Sequence, residues 1–433
     1  AGAAMPSHPG QPTVVDGQPT VVDGQPTVVD GPPTVVDGPP QGSAALVAAL
    51  REEARILGFA RLGVAAAAGR DPRVHDQFRA WLAAGLGGAV QGWLTTHEPL
   101  RRDAERLLPG VRSVIMLATD HPAASREPAP PGRGRVASYA WGDDYHGLLR
   151  QRVNALAAWL EARLPGCRTR GVVDSAPLSE REFGWLAGLG WFGKNTMLIH
   201  PLAGSHFFLT GLLTDASLPD DAPITVDHCG TCTACLDACP TGAFVAPRVL
   251  DAGRCISSLS IEERGPVPPD LRAGMGDWLF GCDECQRVCP WNRLAPGSGM
   301  PSFQPREGMT SLDLIDLLSP DEAAFRDRFR GSPLLRAKRG GLLRSAAINL
   351  GNEAGSGAPA RAARVVVALS GALTDPHPLI RGAAAWALGR WLAAGAAPAW
   401  TALTGRLPDE NDEGVRGEIT AALGGSAAES PAE

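Results

Sequence analysis

The chain has 433 residues, 44% hydrophobic and 20% charged, a composition ordinary for a soluble globular protein of two or three domains with a sizeable core. Its 40 basic and 46 acidic residues leave a net charge of -6, which excludes a uniformly basic nucleic-acid binder but leaves room for a local basic face. No run of 18 apolar residues occurs and the first cation is Arg51, so neither a membrane span nor a secretory or twin-arginine signal is expected, and the location expected is cytoplasmic.

Residues 10–37 hold four copies of a seven-residue unit, three reading G-Q-P-T-V-V-D and the last G-P-P-T-V-V-D. A period of seven suggests a coiled coil, but each unit carries glycine and proline, and proline removes a helical hydrogen bond and clashes with the preceding turn. Residues 1–42 are therefore expected to form a disordered, partly extended tail, to which no function is assigned. Globular composition begins at Ser43. Leu46, Leu50 and Leu57 share one helix face, which leads into a strand-like stretch over residues 59–64. A turn at Pro109-Gly110 precedes a second strand over 113–118. Leu149, Val153, Leu156 and Leu160 form a helical stripe, and residues 169–173 read as a strand ending at Asp174. Ser179-Glu180-Arg181-Glu182 has the spacing of a capping box opening the next helix, and two further strands are expected over 197–199 and 207–213. This alternation predicts an α/β domain over residues 43–224.

Residues 229–240 then read C-G-T-C-T-A-C-L-D-A-C-P and residues 282–290 read C-D-E-C-Q-R-V-C-P, the cysteine signature of a two-cluster bacterial ferredoxin. A [4Fe-4S] cube needs four thiolates converging from several directions, and C-x2-C-x2-C wraps one loop around three corners. The fourth cysteine of such a run, followed by proline, ligates the other cluster. On that pattern Cys229, Cys232, Cys235 and Cys289 hold one cluster, and Cys239, Cys282 and Cys285 hold the second. The missing thiolate is assigned to Cys255, which lies between the motifs, rather than to the distant Cys167. Paired C-x2-C motifs also bind zinc, but four cysteines in eleven residues, nearly repeated with Cys-Pro endings, favour iron-sulfur chemistry. Thiolate ligands imply a reducing compartment. Residues 225–298 are thus read as a ferredoxin-like module.

Residues 299–433 carry a third pattern. L-R-S-A-A-I-N-L-G, I-R-G-A-A-A-W-A-L-G and V-R-G-E-I-T-A-A-L-G recur with their arginines at Arg344, Arg381 and Arg416. Helix pairs that bury an apolar face only by stacking on a neighbour, as in HEAT repeats, produce this spacing. Such an array serves equally as a plain helical cap or as a binding surface. The stretch 326–344 holds Arg326, Arg328, Arg330, Arg336, Lys338, Arg339 and Arg344 against one acid, Asp327. It reads either as a phosphate-contacting face or as an ordinary solvated run.

These pieces, in this order over about residues 44–425, resemble the epoxyqueuosine reductase family. The matching motifs are R-R-D-A-E-R-L-L-P from Arg101, A-W-G-D-D-Y-H over 140–146, V-V-D-S over 172–175, G-K-N over 193–195, both cysteine runs and the helical tail. The sequence departs from the family at Ala104, where a proline is usual, and in its repetitive tail. The resemblance implies an enzyme that reduces epoxyqueuosine at the wobble position of tRNA to queuosine. It implies an α/β domain holding base-off cobalamin, two [4Fe-4S] clusters fed by an external low-potential donor, a repeat domain gripping tRNA, and a monomer. It assigns the catalytic acid to Asp174, which on its sequence alone would serve as a turn or helix cap. That role requires desolvation to raise its pKa. By position, the cobalamin contacts implied are Arg101, Ala137, Asp174, Leu198 and Leu209, with Tyr145, His146, Lys194 and Asn195 lining the pocket. His146 is not expected to ligate cobalt. Ser257 and Asp283 are expected where the corrin approaches the clusters, and Arg336, Lys338 and Arg339 against tRNA. Two other readings differ in class. A reductive dehalogenase shares the cofactors but normally carries an export signal and no helical tail, and an electron-transfer scaffold would bind no cobalamin.

Overall fold

The computed structural model describes residues 43–68, 70–123, 129–356 and 358–424, so the heptapeptide segment and the form expected for it lie outside the described residues. The apolar run around residue 115 becomes β2 (Ser113–Asp120), second in a four-stranded sheet of order β1-β2-β7-β4 with β1 (Arg61–Ala66), β4 (Thr169–Val172) and β7 (Phe207–Thr214). Seven of its eight residues are buried because helices cover both sheet faces. Ile115 and Leu117 point to one side, where α1 (Ala44–Ile56) and α4 (Tyr145–Arg163) bring Leu50, Leu149, Val153, Leu156 and Leu160. Val114, Met116 and Ala118 point to the other, against Phe183 of α5 (Glu180–Leu186). The period-2 alternation of a strand thus separates two cores.

The layers are those of an α/β domain, but every pairing in this sheet is antiparallel. Ala66 at the end of β1 faces Ser113 at the start of β2, so the intervening chain leaves and re-enters at one end of the sheet instead of crossing it. That excursion contains α2 (Pro72–Ala83) and α3 (Gln91–Arg102), neither anticipated from the sequence. Leu82 is the one buried residue of α2 and α3 has none; the apolar stripe of α2, Val74, Phe78, Trp81 and Leu82, is otherwise only half-buried. The capping box is also corrected. Helix α5 does start at Glu180, but Ser179 makes no cap hydrogen bond. Its hydroxyl donates to the Arg101 carbonyl at 3.2 Å, and Glu182 pairs with Arg70, so partners from the excursion outcompete the local box.

A second sheet joins distant parts of the chain. β3 (Arg133–Val136) runs parallel to β10 (Trp278–Phe280) and antiparallel to β11 (Ser311–Asp313). Short hairpins are made by β5 (Trp191–Phe192) with β6 (Leu198–Ile199) and by β8 (Phe244–Ala246) with β9 (Val249–Leu250). Each of the three globular segments read from the sequence contributes one strand to the second sheet. One continuous core runs from Val136 through Ile256 and Leu279 to Leu343 and Ile419. The boundary near residue 298 therefore marks a change of sequence pattern and not a separate core, whereas the two cores of the first sheet are built almost wholly from residues before 224.

The repeat arginines are internal ties. Arg344 is 1% exposed and donates to the carbonyls of Glu263 at 3.0 Å and Gly265 at 2.6 Å, tying helix Lys338–Asn352 to the cysteine-bearing segment. Arg381 pairs with buried Glu410 at 2.7 Å, and Arg416 donates to the Glu410 carbonyl at 2.9 Å. Among the described residues no helix is long and apolar enough to cross a membrane.

Candidate active site and cluster-binding loops

Where β4 ends, the chain turns through Asp174 with φ of 50°, the left-handed region that residues bearing a Cβ rarely adopt, though Asp and Asn tolerate it best. Three contacts hold the turn. The Tyr145 hydroxyl donates to Asp174 Oδ2 at 3.0 Å, His146 Nε2 donates to the same oxygen at 3.0 Å, and the Asp174 N–H donates to Glu180 Oε1 at 2.9 Å. Tyr145 and His146 open α4, whose N-cap Asp144 takes the His146 N–H at 3.0 Å and His146 Nδ1 at 2.7 Å. Both imidazole nitrogens therefore face carboxylates.

An imidazole can donate from both nitrogens only when protonated. Hydrogen bonds to Asp144 and then Asp174 accordingly raise the His146 pKa to about 9. The same contact holds the Asp174 carboxyl below its ordinary range, overcoming desolvation. The expectation that burial raises the Asp174 pKa is thus corrected, since ion pairing outweighs it and the stored proton sits on His146. The raised carboxyl is that of Glu180, pushed to about 8 by burial and then by the charge of Asp174. Sequence reasoning placed Glu180 only in a cap. Its signal was a carboxylate six residues beyond the catalytic candidate.

The Asp174 side chain is 57% exposed, so its carboxyl is open to solvent. Tyr145 stacks on His146 with centroids 4.1 Å apart and on Phe208 at 4.2 Å. Leu198 and Leu209 meet beneath α5 at Gly184, where an added Cβ would stand 2.9 Å from Leu198 Cδ2 and 3.5 Å from Leu209 Cδ2. Arg101, in the last turn of α3, donates weakly to the Leu178 carbonyl at 3.3 Å, and its cation lies 5.3 Å from the Phe78 ring centroid. Its buried Nε has no hydrogen-bond partner, and it forms no ion pair among the described residues. A guanidinium left with an idle buried donor fits a bound molecule that brings acceptors.

Ala137, ahead of α4, ties this domain to the cysteine loops. Its N–H donates to the Phe280 carbonyl at 2.8 Å, and its Cβ lies where a side chain on Gly281 would be, 2.5 Å from such a Cβ. The next N–H, of Ser138, donates to Asp283 Oδ2 at 2.7 Å, and Asp283 is 4% exposed. The thiols fall into two neighbourhoods. Burial, then Cys289, Cys229 and Cys232, raise Cys235 to about 11. Burial, then Cys255, Asp283, Cys235 and Cys239, raise Cys285, so the two neighbourhoods adjoin at Cys235, while Cys282 responds to burial, Cys285 and Cys255. Backbone N–H groups of Ser258 and Ser257 reach the Cys255 sulfur. Buried thiols that repel one another once ionised are the donor set that a metal cluster stabilises. Cys167 is remote from both neighbourhoods, in the core beneath α4.

Two pocket candidates sit elsewhere. Lys194 Nζ donates to the carbonyls of Gly230 at 2.7 Å and Cys232 at 2.9 Å, so its ammonium braces the first cysteine loop. Asn195 Nδ2 donates to the Cys285 carbonyl at 3.2 Å. The basic stretch is divided: Arg339 and Arg344 are buried and spent internally, while Arg326, Arg330 and Arg336 stay 65–80% exposed. Arg326 pairs with Glu322, Arg330 with Asp327, and Arg339 with Asp375, whose side chains are 10% and 7% exposed. Arg339 is thereby removed from the phosphate-contacting set, because carboxylates distant in sequence fold onto it. Arg336 is 65% exposed beside Glu262, and its charge is felt at Asp174. Lys338 is exposed, with φ of 58°. Arg339→Ala is expected to cost about 3–5 kcal/mol in denaturant unfolding by orphaning buried Asp375. Lys338→Ala should change stability by less than about 0.5 kcal/mol.

Residues 101–175 match the family model described as epoxyqueuosine reductase QueG, DUF1730, residues 228–292 a 4Fe-4S double cluster binding domain, and residues 334–424 HEAT repeats. An epoxyqueuosine reductase of Pseudomonas aeruginosa is 41% identical over 351 residues, covering 80% of this chain and 95% of the relative. One from Xanthomonas campestris is 40% identical, covering 79% and 95%. A crystal structure of epoxyqueuosine reductase with an epoxyqueuosine-modified tRNA-Tyr stem loop superposes with a TM-score of 0.79 at 30% identity, covering 88% of this chain and 99% of that one. A Bacillus subtilis epoxyqueuosine reductase with its catalytic aspartate loop swung out of the active site gives the same score and identity, covering 88% and 98%. With curated relatives at about 40% identity matched over nearly their whole length, this chain belongs to the epoxyqueuosine reductase family and is an oxidoreductase.

Proposed function

We propose that this protein reduces epoxyqueuosine at the wobble position of tRNA to queuosine, with base-off cobalamin beside Asp174 and electrons delivered through two [4Fe-4S] clusters. The observation that carries this reading is an exposed acid pair, Asp174 with His146, on a domain that is tied to the cysteine loops through Ala137 and Asp283. Cys229, Cys232, Cys235 and Cys289 would hold one cluster, and Cys239, Cys255, Cys282 and Cys285 the other. Arg101, Ala137, Tyr145, Leu198, Leu209, Ser257 and Asp283 would receive the corrin. Bound cobalamin would supply a strongly reduced cobalt able to open an epoxide.

The protein's own acid pair supplies one proton and solvent the other. Conversion of the epoxide to an alkene takes two electrons and two protons, breaks both C–O bonds and releases the oxygen as water. Asp174 is open to solvent and His146 stands behind it, so the imidazolium can hand its proton through the carboxyl to the departing oxygen. His146 is also unsuited to ligate cobalt, because both its nitrogens are committed to carboxylates. Arg336 and Lys338 would steer tRNA phosphates to this site. The tRNA-bound relative supports this choice of substrate, and the swung-out loop of the second relative matches an acid carried on a turn.

The test is anaerobic incubation of cluster-loaded protein, cobalamin and a low-potential reductant with tRNA bearing epoxyqueuosine, followed by nucleoside mass spectrometry. Loss of one oxygen that depends on cobalamin is expected, and an unchanged nucleoside at full iron and cobalt loading refutes the reading. The rate should depend on pH with a definite sign. Because the His146 pKa is raised to about 9, the pair is loaded at neutral pH and empties as pH rises through that value, so the chemical step should slow there.

A further inference from the structure

Glu180 lies outside the residues so far given a part in the reaction, yet its carboxylate closes the turn that carries Asp174. Its Oε1 accepts the Asp174 N–H at 2.9 Å, the one contact of the three that grips the turn's backbone instead of its side chain. The two ends of this contact differ in rigidity. Glu180 begins α5, which is pinned by Phe183 at 0% exposure, by the stacking of Arg70 over that ring at 5.1 Å, and by the pairing of Arg70 with Glu182. Asp174 sits in left-handed backbone at φ of 50°, which it would leave for extended backbone if nothing restrained it. Leaving that region would swing its carboxyl away from His146 and Tyr145.

We infer that Glu180 is a positioning residue, a latch between α5 and the Asp174 turn that holds the catalytic carboxyl in place. The groups facing it are Asp174 on the turn, Arg101 from α3, Tyr145 from α4 and Arg181 beside it. Burial and the charge of Asp174 keep its carboxyl largely neutral near pH 7, so it accepts the N–H without setting a second anion against Asp174. A neutral amide reproduces that acceptor. Glutamine should therefore serve as a latch, alanine should not, and a carboxyl acting as a proton donor would tolerate neither.

The inference rests on the reductase reading for its catalytic consequence, but one arm of the test is independent of turnover. In cluster-loaded full-length protein without substrate, hydrogen exchange of peptides spanning residues 172–178 should quicken about 10-fold in Glu180→Ala and stay near wild type in Glu180→Gln. Peptides over 183–187 and the iron content serve as folding controls. In the reductase assay, Glu180→Ala should lower kcat about 10-fold with the KM for tRNA unchanged, and Glu180→Gln should rescue it. Unchanged exchange in Glu180→Ala overturns the latch whether or not the protein reduces epoxyqueuosine. Equal loss of turnover in both variants overturns it too, by giving the carboxyl proton a chemical part.

Discussion

Asp174→Asn should lower kcat for epoxyqueuosine reduction by about 10³-fold while leaving the KM for tRNA within about threefold. Asparagine is the informative replacement because it tolerates left-handed backbone nearly as well as aspartate, so the turn at φ of 50° survives and the loss reports on the proton. Alanine would mix that loss with backbone strain. The Asp174 carboxylate is one of two that hold His146 protonated, so the variant should also lower the imidazole pKa from about 9. The residual activity should then fall at lower pH than in wild type. Turnover in Asp174→Asn equal to wild type would remove the acid role from this residue.

The second large effect concerns the fourth thiolate of the second cluster. Cys255→Ala is expected to cut anaerobically reconstituted iron by about half, leaving one [4Fe-4S] signal and no turnover, because three thiolates leave one corner of a cube open. Cys255 lies in the neighbourhood of Cys282 and Cys285, and its sulfur already receives the N–H groups of Ser258 and Ser257. Cys167→Ala is the matched control, since Cys167 packs in the core under α4, and it should retain full iron. Full iron and two signals in Cys255→Ala would reassign the ligand.

How much of this was legible in the sequence follows from the range of each interaction. Helices α1 and α4 could be read directly because each buries one face and carries a 3.6-residue apolar period, and β2 and β7 because strands buried on both faces read as continuous apolar runs. Helix α2 carries a comparable but only half-buried stripe, Val74, Phe78, Trp81 and Leu82, whereas α3, interrupted by Pro99, has no buried residue. The second sheet was hidden for another reason: β3, β10 and β11 have four, three and three residues, too few to show a period, and their partners lie more than a hundred residues apart.

The functional residues divide in the same way. The cysteine spacing is a local pattern whose chemistry depends on residue type, whereas Asp174 and the Tyr145-His146 pair were singled out by the resemblance to the family. The basic stretch was misread in part because charge is local in sequence but its neutralisation is not. Asp375 takes Arg339 and backbone carbonyls of residues 259–265 take Arg344, whereas Arg336 stays exposed beside Glu262. The protonation of the site was also beyond the sequence. The acid role implied by the resemblance required an Asp174 with a raised pKa, whereas the tertiary structure sets His146 between two carboxylates and leaves the raised carboxyl to Glu180. Sequence by itself determined which groups are available and how they are spaced along the chain. Only the folded structure decided which of them share a proton, a backbone contact or a buried charge, because those energies depend on distances between segments remote in the chain.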